Sequence, residues 1–401
     1  MKKILLGTTA LVSAGLIAGP ALASDPLTVT VGGTVTAGFY VIDADNLPGA
    51  FPAVPAPGDL FLVGGGTSYN DTAVKLVARN IDIKAEGTLD NGMVAGVIAT
   101  LSLGDDWVVG GGTNDARFRE LFAYLEGGFG RFEIGGTDGS AFKMHYTSPW
   151  FVPGNGVDSP NILNANQTFT AGSVTATGPV VTTTLGFAFR HSTFSLMAAD
   201  ANKVSYFTPR FAGFQLGLSY TPETSLNGPN PNGLGLNPAG LVIEDVLEVA
   251  LNYAGSFGGV DVGVSGFYVE GDAPIAASSP EEMGVGLNLG LAGFTLGGAW
   301  YQSEDLSFST AIPAASAVEE EVWTVGLSYG TGPWTVGVAY LQDEISGGGF
   351  STKMTTIQTG GGYNLGSGVD IGLDLQMSTV EIPGFADIDS QSAGLVLSVS
   401  F

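Results

Sequence analysis

The sequence predicts an all-β fold, a transmembrane antiparallel up-and-down β-barrel of about 16 strands. Three observations carry that expectation. Apolar and polar residues alternate with period two in segment after segment, which gives a sheet two unlike faces. Mean hydropathy is +0.29, yet past the first residues no stretch stays apolar for the roughly 20 residues that a spanning helix needs. Short Gly-rich links alternate with long polar ones, as they do where strands cross a bilayer and return.

The chain opens with Met1-Lys2-Lys3, an apolar run from Ile4 to Ala18, then Pro20 and Ala21-Leu22-Ala23. Charge, apolar run and small residues in that order predict a secretory signal over 1–23. Residues 24–401 then form one barrel domain, since no linker divides them. Strands are expected at 27–40, 73–88, 94–103, 116–126, 131–136, 201–207, 214–222, 243–254, 260–268, 282–291, 294–302, 320–330, 334–341, 353–365, 369–378 and 390–401. An even number lets both ends close on the same side of the membrane. The short links hold turn chemistry: Asp90-Asn91-Gly92, Gly127 to Gly130, Gly255 to Gly259, Ala292-Gly293, Thr331-Gly332-Pro333 and Gly366-Ser367-Gly368. The long ones span 41–72, 104–115, 137–200, 223–242, 269–281, 303–319, 342–352 and 379–389.

Strand parity assigns the faces. Leu247, Val249, Leu251 and Tyr253 should meet lipid, while Glu248, Ala250 and Asn252 face the lumen. Phe39, Tyr40, Phe129, Phe211, Trp300, Tyr301, Trp323, Tyr329, Trp334 and Tyr340 lie near strand ends and should form two interfacial girdles. Parity sends Lys84 and Lys203 inward and Arg79 outward. Around Arg117 and Arg119 it contradicts itself, because Glu120 and Glu126 share parity with Phe118, Phe122 and Tyr124. Either those glutamates or the arginines would then pack at a subunit interface.

Formal net charge is −25, with 17 acids and ten bases over residues 24–210 but 21 acids and only Lys353 beyond them. Nucleic-acid binding is excluded, because phosphate contacts need basic patches. There is no cysteine and there are two histidines, His145 and His191, so neither a disulfide framework nor a Cys/His zinc set is available. The many Gly-x-Gly pairs lack the strand-to-helix context that phosphate cradles require.

Three segments carry a family resemblance. Lys203 to Tyr220 contains Pro209-Arg-Phe-Ala-Gly213-Phe214 between two strands; Arg119 to Gly136 contains Tyr124-Leu-Glu-Gly127-Gly-Phe129-Gly130; and Phe401 ends the chain after alternating apolar residues. Together they resemble the Gram-negative general porins. The resemblance implies a sixteen-stranded trimeric pore in the outer membrane, beside lipid and lipopolysaccharide, through which small hydrophilic solutes and ions diffuse passively. It also implies a third outer loop folded into the lumen as a constriction, here 137–200. On that loop the candidates are Asp138, His145, Trp150 and Asp158. On the wall they are the basic residues Lys84, Arg119, Arg131 and Lys203, with Arg79 and Arg117 nearby. Opposed loop acids and wall bases would set up a transverse field that sorts solutes by charge. Two departures predict a weaker or displaced field: no acidic pair flanks Pro153, and Gly135-Gly136-Thr137 stands where the family often ends the strand with Gly-Arg.

Acid clusters at Asp105-Asp106, Glu244-Asp245, Glu270 with Asp272, Glu281-Glu282, Glu304-Asp305, Glu319 to Glu321, Asp343-Glu344 and Asp387 with Asp389 fall in or beside the long loops. A negative mouth enriches cations, so modest cation selectivity is expected. Loop-bound calcium or magnesium is a further expectation, although no Asp-x-Asp-x-Asp-Gly pattern supports a dedicated site and no cofactor is implied. Two other functions compete. A substrate-selective channel for sugars or anions would need an aromatic track, which Tyr146, Trp150 and Phe151 begin. An adhesive or structural barrel would carry no current. An outer-membrane hydrolase would need a nucleophile beside one of the two histidines, and an enzyme is not expected.

Overall fold

The computed structural model describes residues 27–45, 60–63, 71–103, 116–159, 168–173, 185–224, 243–273, 279–304, 319–347, 350–383 and 386–401. The expected leader over 1–23 and the Asp105-Asp106 pair lie outside the described residues, as does the side chain of Arg117. In chain order the strands are β1 (Thr28–Asp45), β2 (Leu60–Val63), β3 (Thr72–Thr88), β4 (Val94–Leu103), β5 (Ala116–Gly127), β6 (Gly130–Gly136), β7 (Thr168–Ser173), β8 (Leu185–Ala188), β9 (Asn202–Phe207) and β10 (Phe214–Glu223). They continue as β11 (Glu244–Phe257), β12 (Val260–Asp272), β13 (Glu281–Leu291), β14 (Phe294–Glu304), β15 (Glu319–Thr331), β16 (Trp334–Gly347), β17 (Phe350–Gly366), β18 (Val369–Glu381) and β19 (Ile388–Ser400). One short helix, α1 (Ser140–Lys143), follows β6.

Sixteen of these strands close into an antiparallel barrel in which every strand pairs with its neighbours in sequence and β1 pairs with both β3 and β19. Closure leaves no unpaired edge in lipid, which is what an apolar environment demands of a sheet. Each expected strand is present. Several run further on the long-loop side: β12 reaches Asp272 and β16 reaches Gly347. There the ladder goes on while the outward positions turn polar, Glu270 and Asp272 on β12 and Gln342 and Glu344 on β16, and the inward ones include buried Val269 and Ile345, so an apolar outward face no longer marks it. A second correction concerns the long links. β2, β7 and β8, expected as loop, form a separate three-stranded sheet in the order β2-β7-β8.

The short links are tight. In the β13–β14 hairpin Ala292 and Gly293 both have positive φ, 51° and 88°, the signature of a type I′ turn whose twist matches the flanking strands. Beside these turns, cross-strand aromatic pairs ring the outer surface: Phe214–Tyr253 at 4.8 Å, Phe294–Tyr329 at 4.5 Å and Trp334–Tyr363 at 4.5 Å between ring centroids. Trp323 and Tyr340 pair at 4.9 Å towards the other rim. Between the rims Leu216, Leu251, Val285, Leu296 and Val325 face outward and are exposed, as parity requires of a lipid band. Tyr40 and Tyr301 leave the expected girdles. Both point into the lumen and are fully buried, Tyr40 on Asp374 and Tyr301 on Glu282.

The contradiction around Arg119 is resolved by a bulge. Thr100 pairs with Glu120 and the next pair is Leu101 with Phe118, so β5 carries one extra residue at Arg119. Parity flips there. Phe118 meets the exterior, while Arg119, Glu120, Phe122 and Tyr124 all turn to the lumen, and neither the glutamates nor Arg119 packs on the outer face.

Candidate constriction site

After β6 the chain turns inward and follows the inner wall. Its backbone donors meet wall side chains in strand order: Ser140 N–H donates to Ser219 Oγ on β10 (2.8 Å), Ala141 N–H to Glu248 Oε2 on β11 (3.0 Å), and Tyr146 N–H to Ser265 Oγ on β12 (2.8 Å). Further along, the hydroxyls of Ser148 and Thr324 on β15 are 3.0 Å apart, and Asn155 Nδ2 donates to Asp374 Oδ2 on β18 at 2.9 Å. The first N–H groups of α1 and that of Tyr146 in the irregular chain after it have no partner within their own segment, and here the wall supplies the acceptors. Asp374 is the last of them. It is fully buried and accepts from Tyr40, Asn155, Gln358 and Gln376, four neutral donors.

The loop residues singled out from sequence occupy three kinds of environment. Asp138 is buried at the loop's start, bonded by Arg119 Nη2 at 3.0 Å. Burial, opposed by Arg119 and reinforced by Asp200 and Glu120, pushes its pKa up to about 7. Asp158 was expected to face the passage and does not. It is completely buried, bonded to the hydroxyls of Thr147 and Thr193 and to the Thr193 N–H at 2.8 Å, and burial raises its pKa. It ties the outgoing limb of the loop to the returning one. His145 lies edge-on between Phe194 and Phe267, each 5.2 Å away, and its ring nitrogens meet Thr193 and Ser265; burial lowers its pKa to about 3. Trp150 stays 47% exposed, beside Gly156.

All four basic wall residues singled out lie on the lumen side of β3 to β9. Lys84 pairs with Glu86 at 2.8 Å and is 44% exposed. Arg131 bridges Glu126 (3.0 Å) and Glu133 (2.8 Å) with its guanidinium 3.8 Å over the Tyr124 ring. Arg119 is 41% exposed and spans Asp138 and Asp200 at 3.0 and 3.1 Å. Lys203 differs from expectation: its ammonium is buried and donates to the carbonyls of Thr137 and Ala199, each at 2.5 Å. It clamps the two ends of the loop together. Parity identified the side but not the cover.

Several participants escaped the sequence reading. Lys143 donates to Glu133 at 2.6 Å. Arg190, on the returning limb, donates to Glu282 at 3.1 Å, lies 3.8 Å over Tyr301, and presents its backbone N–H to Glu320. His191 N–H donates to Asp343 at 2.8 Å. Glu282, Glu320 and Asp343 had been grouped with loop acids, but they point into the barrel and are buried. Inward parity next to polar neighbours was the available signal; what they pair with was not, because Arg190 approaches from a distant loop.

Among the described residues, three carboxylates converge, Glu120, Asp138 and Asp200, with ligand atoms within 4.8 Å of one another. None belongs to the clusters expected to take calcium or magnesium, and Arg119 already supplies a cation there. Water-facing charge on the inner wall includes Lys84, Glu86 and Arg119 on β3 to β5 and Asp261 and Asp370 beside the short turns of β12 and β18, whereas Glu248, Glu282, Glu320, Asp343 and Asp374 lie beneath the loop.

Comparison with known proteins fits this architecture. The outer membrane channel DcaP of Acinetobacter baumannii superposes with a TM-score of 0.58 at 12% identity, covering 96% of this chain and all of that one. The anion-selective porin from Comamonas acidovorans gives 0.55 at 14%, covering 94% and 100%. The trimer form of OmpT from Vibrio cholerae gives 0.56 at 12%, again covering 94% and 100%. These likenesses are of fold. An uncharacterized protein of Rickettsia bellii is 46% identical over 39 residues, so the match spans only 10% of this chain and 9% of that relative. The model of the Gram-negative porin family, by contrast, matches residues 7–381. The chain belongs to the Gram-negative porin family and is a multi-pass β-barrel of the outer membrane.

Proposed function

We propose that the barrel is a water-filled pore for passive diffusion of small hydrophilic solutes and ions, modestly cation-selective, and that it works as a homotrimer among lipid and lipopolysaccharide after loss of residues 1–23. The observation that carries the reading is the placement of residues 138–158 along the inner wall of a closed barrel whose outer face is apolar. Asp138, His145, Trp150, Arg119 and the rest of this segment's surroundings then define the constriction. Cation preference is supported by the net charge of −25, more negative still without Lys2 and Lys3, and by acids at the long-loop rim, such as Glu270, Glu304 and Glu344.

No reaction is assigned. Ser265 Oγ lies 3.3 Å from His145 Nδ1, but the other ring nitrogen meets Thr193 rather than a carboxylate, and burial that keeps the ring neutral to about pH 3 makes it a poor proton acceptor.

Planar-bilayer recording with liposome swelling tests the proposal. Stepwise ohmic conductance and sugar uptake that falls smoothly with size are expected. Saturating uptake of one sugar or anion class would favour the selective channel, and absence of conductance would remove both.

A further inference from the structure

The inner wall is notched where the loop runs. Gly217 on β10, Gly263 on β12, Gly286 on β13, Gly337 on β16 and Gly372 on β18 all face the lumen, and each lies against the loop residue that passes over it. A Cβ on Gly217 would overlap Met144, and one on Gly286 would overlap the Tyr146 carbonyl. At Gly263 it would stand 2.9 Å from the Tyr146 ring, at Gly337 it would overlap the Phe151 ring, and at Gly372 it would stand 2.5 Å from Pro153 Cδ. The wall positions advance strand by strand as the loop positions advance from 144 to 153. The Tyr146 carbonyl at Gly286 and Ser140 Cβ, 2.8 Å from a Cβ at Gly217, cannot swing aside, so a side chain there must push the loop or the strand away, whereas at Gly263 and Gly337 the aromatic ring must turn or move with the loop.

We infer that these wall glycines form a seat for residues 140–154, and that the depth of this seat sets the bore of the pore. This rests on the pore reading and adds to it: solute size is selected by residues of the wall behind the loop as much as by the loop's own side chains. A strand of a closed barrel is held by two hydrogen-bonded ladders, whereas the loop is held by isolated side-chain bonds. The loop is therefore the part that yields, and it yields toward the open lumen.

The test uses the full-length refolded protein. Gly337→Val and Gly286→Ala are compared with wild type for single-channel conductance and for the largest sugar admitted in liposome swelling. Folding is checked by heat-modifiable migration on gels. Conductance falling to about half or less, with a smaller size limit, is expected of both variants. Gly290→Ala is the control, since it also faces the lumen on β13 but its Cβ would meet no loop atom and would touch Asp261 and the Phe294 carbonyl only at ordinary distances of 3.4 Å and more. It should conduct like wild type. Folded variants at Gly337 and Gly286 that conduct like wild type overturn the inference.

If those variants fail to fold, a Ser148→Cys/Thr324→Cys pair decides, since the chain has no other cysteine. A disulfide that forms without changing conductance supports a permanently seated loop. Failure to form, or a conductance that drops on oxidation, overturns it. A wild-type protein without conductance would sink the pore reading, and disulfide formation, read on a gel, would still judge the seat.

Discussion

Arg119 reaches two loop carboxylates because the extra residue in β5 turns it and Glu120 to the same side. A partly exposed guanidinium between Asp138 and Asp200 keeps the water-facing charge of that wall near balance. Arg119→Gln is expected to shift the reversal potential under a salt gradient toward cations, with Arg119→Lys close to wild type; a reversal potential unchanged in the Gln variant would place the field elsewhere. His145 yields a prediction about pH. It faces Phe194, Phe267, Thr193 and Ser265, and burial lowers its folded pKa to about 3 from an ordinary 6.5. The sign is that of a depressed group: the stability it lends the closed loop is complete above pH 6.5 and is lost as pH falls from 6.5 toward 3. His145 by itself makes loop opening easier by up to about 1.4 kcal/mol, or tenfold, per pH unit in that window, while Asp138 and Asp158, raised by burial in the same loop, act in the opposite sense. The difference in hydrogen exchange of residues 142–147 between wild type and His145→Gln, followed from pH 7 to 4, isolates that share: the wild-type loop should open more readily than the variant's as pH falls, and parallel curves would show that His145 does not contribute.

At the level of elements, the loop depends on the wall more than on itself. Asp374 anchors its far end through Asn155 while also accepting from Tyr40, Gln358 and Gln376. Asp374→Ala leaves those donors buried without their acceptor, a loss of about 1–3 kcal/mol at the loop's attachment and hence roughly 5- to 150-fold faster limited proteolysis near residues 150–156. An unchanged cleavage rate would show that the tip is held by other contacts. Here lies the boundary of what was legible. Each barrel strand could be read from alternation, because period two directly encodes which face meets lipid. That Lys84 and Lys203 face inward followed from the same rule. The burial of Asp158, the Lys203 clamp and the Arg190–Glu282 bridge did not, because they depend on which parts of a long loop return to which strand, and no local periodicity records that. The bulge at Arg119 was visible only as a contradiction in parity.

For the whole molecule, the distribution of charge between rim and interior decides what kind of selectivity to expect. Glu248, Glu282, Glu320, Asp343 and Asp374 on the β11 to β18 wall lie beneath the loop, so they contribute little field to water; Asp261 on β12 and Asp370 on β18 face the lumen beside the short turns, and Lys84, Glu86 and Arg119 at β3 to β6 are paired. The unbalanced part of the net negative charge therefore acts mainly from the two mouths rather than from beneath the loop. Charges at a wide, wet mouth are screened by salt, whereas charges in a narrow filter are not: the Debye length shrinks from about 30 Å at 0.01 M to about 3 Å at 1 M. Cation preference measured from reversal potentials under a constant salt ratio should accordingly be largest near 0.01–0.1 M and approach none at 1 M. A preference that persists undiminished at 1 M would locate selectivity in the constriction and would require carboxylates there that water can reach.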